Sequence, residues 1–219
     1  MNNIKIAIDG PSGSGKSTIA KAIAEKLDID YIDTGAMYRA VAYKMMEQGV
    51  SDDNQDAIKG MLENTVIEFI DGKTLLDGED VSNVIRKSEV ARMASICSAL
   101  PVVREKLVDL QREMGHTKSV VMDGRDIGTN VFKDAEVKFF ITASPEERAN
   151  RRYLELLEKG EDITYEQVLE SIRKRDHSDS TRELNPLKQA EDAILLDTTY
   201  MTIKEVEDSI MKEIKKWQS

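Results

Sequence analysis

The sequence predicts an α/β fold built around a mainly parallel sheet, because short strand-like runs alternate with amphipathic helical stretches along the chain. The strand candidates are brief and apolar or β-branched, as expected of strands that are buried on both faces. They comprise residues 5–9, 31–32, 119–122, 137–142 and 193–196. Alternation of this kind implies right-handed crossovers between parallel strands.

Helix starts support the same alternation. Ser144, Thr164 and Thr202 each stand three residues before a Glu or a Gln, which is the spacing of a capping box. Pro145 follows Ser144 at the first helical position, where the missing N–H of proline costs nothing. These positions therefore predict three helix N-termini in the second half of the chain.

One region departs from this alternation. Residues 65–81 contain two Asp-Gly turn signals separated by short alternating runs, which is typical of a small antiparallel hairpin or meander. We expect an insert at residues 60–88 on a single domain that spans residues 1–219. A chain of this length suits one α/β domain with an insertion and is short for two independent domains.

Composition limits the classes of function. The net charge of −10 at pH 7 argues against non-specific nucleic-acid binding, because the phosphate backbone would be repelled. Cys97, the single cysteine, lies in a helical pattern and is expected to be a small core residue rather than a nucleophile. The N-terminus lacks a signal-peptide pattern and no segment has the length of a membrane span. We therefore expect a cytoplasmic protein with no membrane partner.

Residues 10–17 carry the strongest single motif. They read Gly-Pro-Ser-Gly-Ser-Gly-Lys-Ser, a full match to Gly-x-x-x-x-Gly-Lys-Ser, between a predicted strand and a predicted helix. This is the pattern of a phosphate-binding loop (P-loop), in which backbone N–H groups and a helix N-terminus converge on phosphate oxygens. Lys16 would reach the β- and γ-phosphates of a nucleoside triphosphate, and Ser17 would offer a hydroxyl to Mg2+. The predicted fold is therefore a P-loop three-layer α/β fold.

A second motif follows the second strand candidate. Residues 33–39 read Asp-Thr-Gly-Ala-Met-Tyr-Arg and stand at the C-terminal edge of the sheet, where open α/β folds bind ligands. A helix start capped by Asp33 or Thr34, with Arg39 solvated, fits these residues equally well. The residues alone leave both interpretations open.

A third motif follows the strand candidate at 119–122. Asp123 ends that strand and is a candidate for the Mg2+ shell, as acidic residues beside a P-loop are. Gly124 would permit an unusual backbone turn that directs Arg125 and Asp126 towards the same crevice. A tight turn with a local pair between Arg125 and Asp126 is the alternative.

Arginines are frequent in the segment that follows the fourth strand candidate. Arg148, Arg151 and Arg152 share one helical face because of their spacing. Residues 148–182 hold eight Lys or Arg and eight Asp or Glu, so the segment is no basic patch for nucleic acid. Phosphoryl transfer needs guanidinium groups around the transferred group. We expect residues 148–182 to form a short closing lid, with solvated helix charges as the alternative for any one arginine.

Taken together, five motifs resemble those of the bacterial cytidylate kinases, a family in the nucleoside monophosphate kinase group of P-loop kinases. The P-loop alone is generic, whereas the other four are specific in combination. They are Asp-Thr-Gly-Ala-Met-Tyr-Arg at 33–39, Leu-Asp-Gly-Glu-Asp-Val at 76–81, Asp-Gly-Arg-Asp-Ile-Gly-Thr at 123–129 and Arg-Asp-x-x-Asp-x-x-Arg at 175–182. The resemblance implies ATP-dependent phosphoryl transfer to CMP and dCMP in pyrimidine nucleotide metabolism, with Mg2+. It also implies that residues 60–88 belong to the monophosphate-binding region, and we expect a monomer.

The resemblance assigns roles to individual positions. ATP would be held by Gly10, Pro11, Ser12, Gly13, Ser14, Gly15, Lys16, Ser17, Thr18, Arg151 and Arg152. The acceptor phosphate would be bound and surrounded by Thr34, Gly35, Tyr38, Arg39, Arg125 and Arg182. The cytosine edge would be read by Ser95, Arg104 and Asp126, and the sugar hydroxyls would be bound by Arg175 and Asp179. The groups expected to act on the transferred phosphoryl are Lys16, Arg125, Arg151 and Arg182.

The assignment of Asp126 agrees with the chemistry of cytosine. Cytosine presents an exocyclic amine that a carboxylate accepts from, whereas uracil has a carbonyl at the same place. Two buried acceptors facing each other cost about 1–3 kcal/mol, which would favour CMP over UMP. The chain departs from the family pattern at Asn130 and Lys133, where the resemblance leads us to expect an apolar residue and a proline.

Two alternatives remain. One is a P-loop kinase for UMP or another small acceptor, in which Asp126 would not determine acceptor preference. The other is a nucleotide-dependent switch or binding module, for which we would expect a guanine-reading Asn-Lys-x-Asp motif. The sequence contains no such motif.

Overall fold

In the computed structural model, which describes residues 3–116 and 118–218, the predicted parallel sheet has five strands. They are β1 (Lys5–Asp9), β2 (Asp30–Asp33), β6 (Val120–Gly124), β7 (Val137–Thr142) and β8 (Ile194–Asp197). Their order is β2-β6-β1-β7-β8, and β1 pairs in parallel with both β6 and β7. The strand candidates are confirmed: β1 and β7 have the predicted ends, and the ends of the other three differ by one or two residues.

The chain divides into two units within β2. The P-loop unit comprises Met1–Tyr31 and Thr117–Ser219, and the intervening unit comprises Ile32–His116. The helices of the P-loop unit are α1 (Lys16–Leu27), α6 (Pro145–Glu158), α7 (Tyr165–Thr181) and α8 (Ile203–Gln218). β1, β7, α1 and α8 build one apolar core, which includes Ile8, Ile23, Phe139 and Ile210.

The three predicted helix starts are confirmed. The Ser144 hydroxyl accepts from the backbone N–H of Glu147 at 3.2 Å. Thr164 makes a complete capping box at the start of α7. Thr202 does the same before α8, because its hydroxyl accepts from the N–H of Glu205 while the Glu205 carboxylate accepts from the N–H of Thr202. Local sequence therefore fixes where these helices begin.

The intervening unit contains the four helices α2 (Thr34–Glu47), α3 (Gln55–Glu63), α4 (Ser88–Cys97) and α5 (Pro101–Met114). It also contains the predicted meander, an antiparallel sheet of β3 (Ile67–Ile70), β4 (Lys73–Leu76) and β5 (Glu79–Asp80). Both Asp-Gly turns have positive φ at each of their two residues, as a type I′ hairpin turn requires. The reading of residues 65–81 as a meander is thus confirmed.

Cys97 is a core residue of the intervening unit. Its side chain is fully buried and its Sγ lies 3.4 Å from the Sδ of Met45. Burial raises the pKa of the thiol to about 12, so the thiolate that a nucleophile needs does not form near neutral pH. The expectation of a small core residue is confirmed.

Two loops leave the same edge of the sheet side by side. Asp9 at the end of β1 is in register with Gly124 at the end of β6. The P-loop follows β1, and the β6–β7 loop, residues 125–136, follows β6. Because parallel strands bring their C-terminal ends to one edge, this is where ligands of open α/β sheets bind. Within the described part of the chain, no helix is both long and apolar enough to span a bilayer.

Candidate active site

The P-loop takes its shape from two glycines in particular. A Cβ at Gly10 would lie 2.0 Å from the backbone oxygen of Ile141, so only glycine allows this approach to β7. Gly15 has a φ of 85° and caps the N-terminus of α1. The Lys16 Nζ donates to the Pro11 backbone oxygen at 3.1 Å, across the loop. The motif therefore folds as a closed turn that ends in a helix N-terminus, which is the geometry for binding phosphate.

Lys16 is buried beneath this turn among charged groups. Burial, followed by the positive charges of Arg125 and Arg175, lowers the pKa of its amine to about 7, against the opposing effects of Asp123 and Asp179. Those two arginines come from distant parts of the sequence. Arg125, which was predicted to act on the transferred phosphoryl, and Arg175, which was predicted to bind the sugar, therefore share one electrostatic environment with the P-loop lysine. An anionic ligand would relieve the repulsion among these cations.

Asp123 and Ser17 form a cluster of oxygen atoms beside the P-loop. The Ser17 hydroxyl donates to Asp123 Oδ2 at 2.7 Å, and the Tyr31 hydroxyl donates to Asp123 Oδ1 at 2.9 Å. Hard oxygen ligands of this type suit Mg2+, which uses one or two protein oxygens and completes its shell with water and phosphate. Across residues 3–116 and 118–218, no cluster of three or more His, Cys, Asp or Glu side chains could hold a metal by itself.

The β6–β7 loop begins with a turn that the sequence did not predict. Ile127–Val131 form a short π-helix, whereas Gly124 stays within β6 and has no positive φ, so the expectation of a turn at this glycine is wrong. The buried carboxylate of Asp9 accepts from the backbone N–H groups of Ile127 and Gly128, both at 2.8 Å. Burial raises the pKa of Asp9 to about 7 in spite of these two bonds. The residue directly before the P-loop thus holds the start of the neighbouring loop.

Arg125 and Asp126 pair with residues of α7 and its end rather than with each other. Arg125 Nε donates to Asp179 Oδ2 at 2.7 Å, and Arg182 Nη2 donates to Asp126 Oδ1 at 3.1 Å. Although burial raises the pKa of Asp179, Arg125 and then Arg175 hold it below its usual range. The alternative of a local Arg125–Asp126 pair is therefore wrong. The structure brings these four predicted residues together across more than 50 positions of sequence.

The three arginines of α6 have different environments. Arg148 is buried and donates to both carboxylate oxygens of Asp176, at 3.0 and 2.6 Å, and to the Ser12 backbone oxygen at 3.0 Å. Arg151 is partly exposed and donates to Glu147 and to the Thr198 backbone oxygen. Arg152 makes an exposed pair with Glu155. Arg148 thus stabilises the P-loop through its bond to Ser12, whereas the guanidinium groups of Arg151 and Arg152 are partly exposed to solvent.

In the intervening unit, the predicted acceptor residues lie at the start of α2. The Asp33 carboxylate caps this helix by accepting from the N–H of Ala36 at 2.8 Å, and it also pairs with Arg39 Nη2 at 3.0 Å. A Cβ at Gly35 would lie 3.1 Å from atoms of both partners, so glycine leaves room for the pair. Thr34 is buried at the same turn. The capped helix start is observed, but Arg39 is paired rather than solvated.

The other predicted residues of the intervening unit lie on three helices. The guanidinium of Arg104, on α5, lies 5.8 Å from the ring centre of Tyr38, on α2, which is a cation–π distance. Arg104 is buried and donates to the Ser98 backbone oxygen at 3.2 Å. Ser95 lies half-buried on α4, one turn before Ser98. Tyr38 and Arg104 therefore form one aromatic and cationic surface.

Sequence reasoning missed three residues that support the site. Asp9 holds the β6–β7 loop, Tyr31 holds Asp123, and Arg148 holds the P-loop. Arg148 carried a signal, because its spacing placed it on the face shared with Arg151. Asp9 carried a weaker one, as a charged residue at the end of an otherwise apolar strand. Tyr31 carried no signal beyond its place in a strand candidate.

Solved structures share the fold at low identity. An uncharacterized protein from Eubacterium ventriosum ATCC 27560 matches with a TM-score of 0.57 and 15% identity over 97% of this chain and 99% of its own. A gluconokinase from Sinorhizobium meliloti 1021 matches with a TM-score of 0.51 and 14% identity over 99% and 97%. These similarities confirm the predicted P-loop kinase fold.

Sequence comparison identifies the family. The family model for cytidylate kinase matches residues 6–216. A cytidylate kinase from Clostridioides difficile (strain 630) is 49% identical over 98% of this chain and 99% of its own length. One from Caldicellulosiruptor bescii is 50% identical over 97% and 96%. This match over nearly the whole chain, in agreement with the five motifs, shows that the chain belongs to the cytidylate kinase family of nucleoside monophosphate kinases.

Proposed function

We propose that this chain transfers the γ-phosphoryl group of ATP to CMP and dCMP, giving CDP and dCDP. The observation that carries the proposal is a second set of cations in the P-loop unit: Arg125 and Arg182 are held by the carboxylates of Asp179 and Asp126, and burial together with the charges of Arg125 and Arg175 depresses the pKa of the Lys16 amine. A switch or a simple binding module has no need for a second set of cations beside its P-loop. Relatives of about half-identical sequence are named as cytidylate kinases, which supports the choice of acceptor.

On the donor side, the P-loop backbone from Gly10 to Gly15 and the Lys16 amine would hold the β- and γ-phosphates. Ser17 and Thr18 lie in the first turn of α1, where the helix dipole favours anions. Arg151 and Arg152 would exchange their present carboxylate partners, Glu147 and Glu155, for phosphate oxygens when the lid closes. α6 and α7 share a small apolar core of their own, which would let this pair of helices move as one piece.

Mg2+ would be held by Ser17 with the help of Asp123. Their oxygens already lie side by side, and Asp123 is fixed from the other side by Tyr31. When bound, the metal ion supplies charge neutralisation to the triphosphate. Asp123 would orient the Ser17 hydroxyl towards it.

On the acceptor side, we assign the phosphate of CMP to Thr34, Arg39, Arg125 and Arg182, with Gly35 and Tyr38 lining the site. Ser95, Arg104 and Asp126 would read the base, and Arg175 and Asp179 would bind the sugar hydroxyls. The charges support these roles, because Arg125 and Arg182 are cations that already pair with the carboxylates of Asp179 and Asp126, and those carboxylates accept hydrogen bonds.

The reaction then needs no covalent nucleophile on the protein. An oxygen of the acceptor phosphate forms a bond to the γ-phosphorus while the bond from that phosphorus to the β–γ bridging oxygen breaks, and ADP leaves with the electron pair. Lys16, Arg125, Arg151 and Arg182 would neutralise the transferred group, and the closed lid would exclude water. Catalysis is then a matter of positioning and charge.

A coupled assay of ADP release tests the proposal with CMP, dCMP, UMP, AMP and GMP as acceptors. We expect turnover with CMP and dCMP and a much lower kcat/KM with the other three. Equal turnover with all five, or none with CMP, would refute the proposal. ATP hydrolysis without acceptor that CMP leaves unchanged would indicate a switch instead.

The cellular setting is also part of the proposal. We expect the chain to act in the cytoplasm as a monomer, without nucleic acid or membrane. Light scattering of the purified protein tests the monomeric state, and a dimer mass would contradict it.

A further inference from the structure

Asn130, the residue directly after the motif at 123–129, makes a side-chain contact with Asp126. Its side-chain Nδ2 donates to Asp126 Oδ2 at 3.0 Å, while Arg182 Nη2 donates to Asp126 Oδ1 at 3.1 Å. Asp126 is 5% exposed, and Asn130 is half-buried above it. Each oxygen of the carboxylate therefore has its own donor, and the plane of the carboxylate is fixed from two sides.

The π-helix explains why the two side chains meet. The backbone N–H of Asn130 donates to the Asp126 backbone oxygen at 2.9 Å, and Val131 donates to the same oxygen at 3.2 Å. This turn brings residues four apart onto one face, where an amide and a carboxylate pair. The Asp9 carboxylate accepts from the first two N–H groups of the π-helix, those of Ile127 and Gly128, so a residue at the end of β1 also fixes this turn. An apolar residue at position 130 could keep this backbone but could not supply the donor.

The contact bears on which base Asp126 can accept. Asn130 and Arg182 each donate to one oxygen of the carboxylate, which accepts along about four lone-pair directions when it is ionised. Both neighbours donate, and both therefore favour the carboxylate as an acceptor. A cytosine amine donates to a carboxylate, whereas the uracil carbonyl requires a donor. For uracil, Asp126 would have to turn away from Asn130 or become protonated against two donors.

We propose that Asn130 is a positioning residue for base selection, which fixes Asp126 as an acceptor for an exocyclic amine and so sharpens the preference for CMP over UMP. This inference rests on the proposed function, in which Asp126 reads the base. It assigns a role to a position at which the chain departs from the apolar residue expected from the family pattern.

The test compares Asn130→Val, Asn130→Asp and the control Lys133→Ala. The valine removes the donor, the aspartate keeps the shape but replaces the donor with an acceptor, and Lys133 is an exposed side chain in the same loop. The readout is kcat/KM for CMP divided by kcat/KM for UMP, with KM for ATP and the thermal unfolding temperature measured alongside.

We expect both Asn130 variants to raise KM for CMP and to lower the CMP-to-UMP ratio by about 3- to 10-fold, as one lost hydrogen bond predicts. KM for ATP and the values for Lys133→Ala should stay at wild-type level. An unchanged ratio in Asn130→Val, or equal losses with CMP and UMP, would overturn the inference, because a merely structural role affects both acceptors alike. If Asn130→Val proves unstable, the ratio in Asn130→Asp decides.

The experiment separates this inference from the proposed function. A wild-type enzyme without CMP turnover would refute the function itself. A wild-type preference for CMP that Asp126→Asn abolishes and the Asn130 variants retain would leave the function intact and refute only the role of Asn130.

Discussion

The P-loop and the β6–β7 loop leave neighbouring strands at the same edge of the sheet, yet they are built in different ways. The P-loop is closed by contacts within itself, such as the Lys16 amine on the Pro11 oxygen. The β6–β7 loop is held by residues that are remote in sequence, namely Asp9 at its start and Arg182 on Asp126. A loop of the first kind can be recognised from a motif alone. The geometry of the second depends on the whole fold.

The largest effect should come from the self-contained loop. Lys16→Ala removes the amine that neutralises the transferred phosphoryl, and we expect kcat to fall by about 10²- to 10³-fold. The fold should persist, because the buried amine makes only one hydrogen bond to the protein in the described part of the chain. Stopped-time ADP release and thermal unfolding measure both. Lys21→Ala, an exposed lysine of the same helix, is the control, and normal activity of Lys16→Ala would contradict the mechanism.

This difference between the loops also explains what the sequence could predict. The strands, the capped helices, the meander and the P-loop depend on local patterns, and all were predicted. The pairs Arg125–Asp179 and Asp126–Arg182 were not, since the residues alone allowed a local Arg125–Asp126 pair instead. Only packing of α7 against the β6–β7 loop decides between partners that are equivalent in charge.

The π-helix was missed for a related reason. Its first N–H groups bond to a carboxylate more than 100 positions away, so no local pattern marks it. The sequence predicted a turn at Gly124, but Ile127–Val131 form the turn, and hydrogen bonds to Asp9 hold it. A buried acid at the end of a strand needs partners, and those partners lie in the neighbouring loop.

The next largest effect should come from the second loop. Asp126→Asn keeps the shape of the side chain but adds a donor, so we expect kcat/KM for CMP to fall by about 10- to 100-fold and the preference to shift towards UMP. The acceptor panel with both pyrimidine nucleotides measures the shift. Asp134→Asn, an exposed carboxylate in the same loop, is the control. Equal losses with CMP and UMP would show that Asp126 supports the loop without reading the base.

A smaller effect should follow from loosening the link between the loops. Asp9→Asn leaves one oxygen for the two N–H groups of Ile127 and Gly128, so one of them loses its partner at a cost of about 1–3 kcal/mol. We expect faster amide hydrogen exchange in the β6–β7 loop, while exchange in the P-loop stays unchanged. Mass spectrometry measures exchange in both loops of the same protein, so the P-loop serves as the internal control. Faster exchange in both loops to the same extent would mean that they open together.

The smallest effect should be the uptake of about one proton when ATP binds, and it tests whether charges in the β6–β7 loop influence the P-loop. Burial and Arg125 lower the pKa of Lys16 to about 7, so most of its amine is neutral at pH 8. The folded protein then binds fewer protons at Lys16 than the unfolded chain does above pH 7, and this group makes stability rise with pH in that range.

Bound triphosphate restores the charge, so ATP binding should take up about 0.9 proton at pH 8. Calorimetry in buffers of different ionisation enthalpy measures this uptake. Arg125→Ala should reduce it by raising the pKa of Lys16, whereas Arg125→Lys, which keeps the charge, should leave it unchanged. Equal uptake in wild type and Arg125→Ala would show that the P-loop is electrostatically independent of its neighbour, as its self-contained structure alone would suggest.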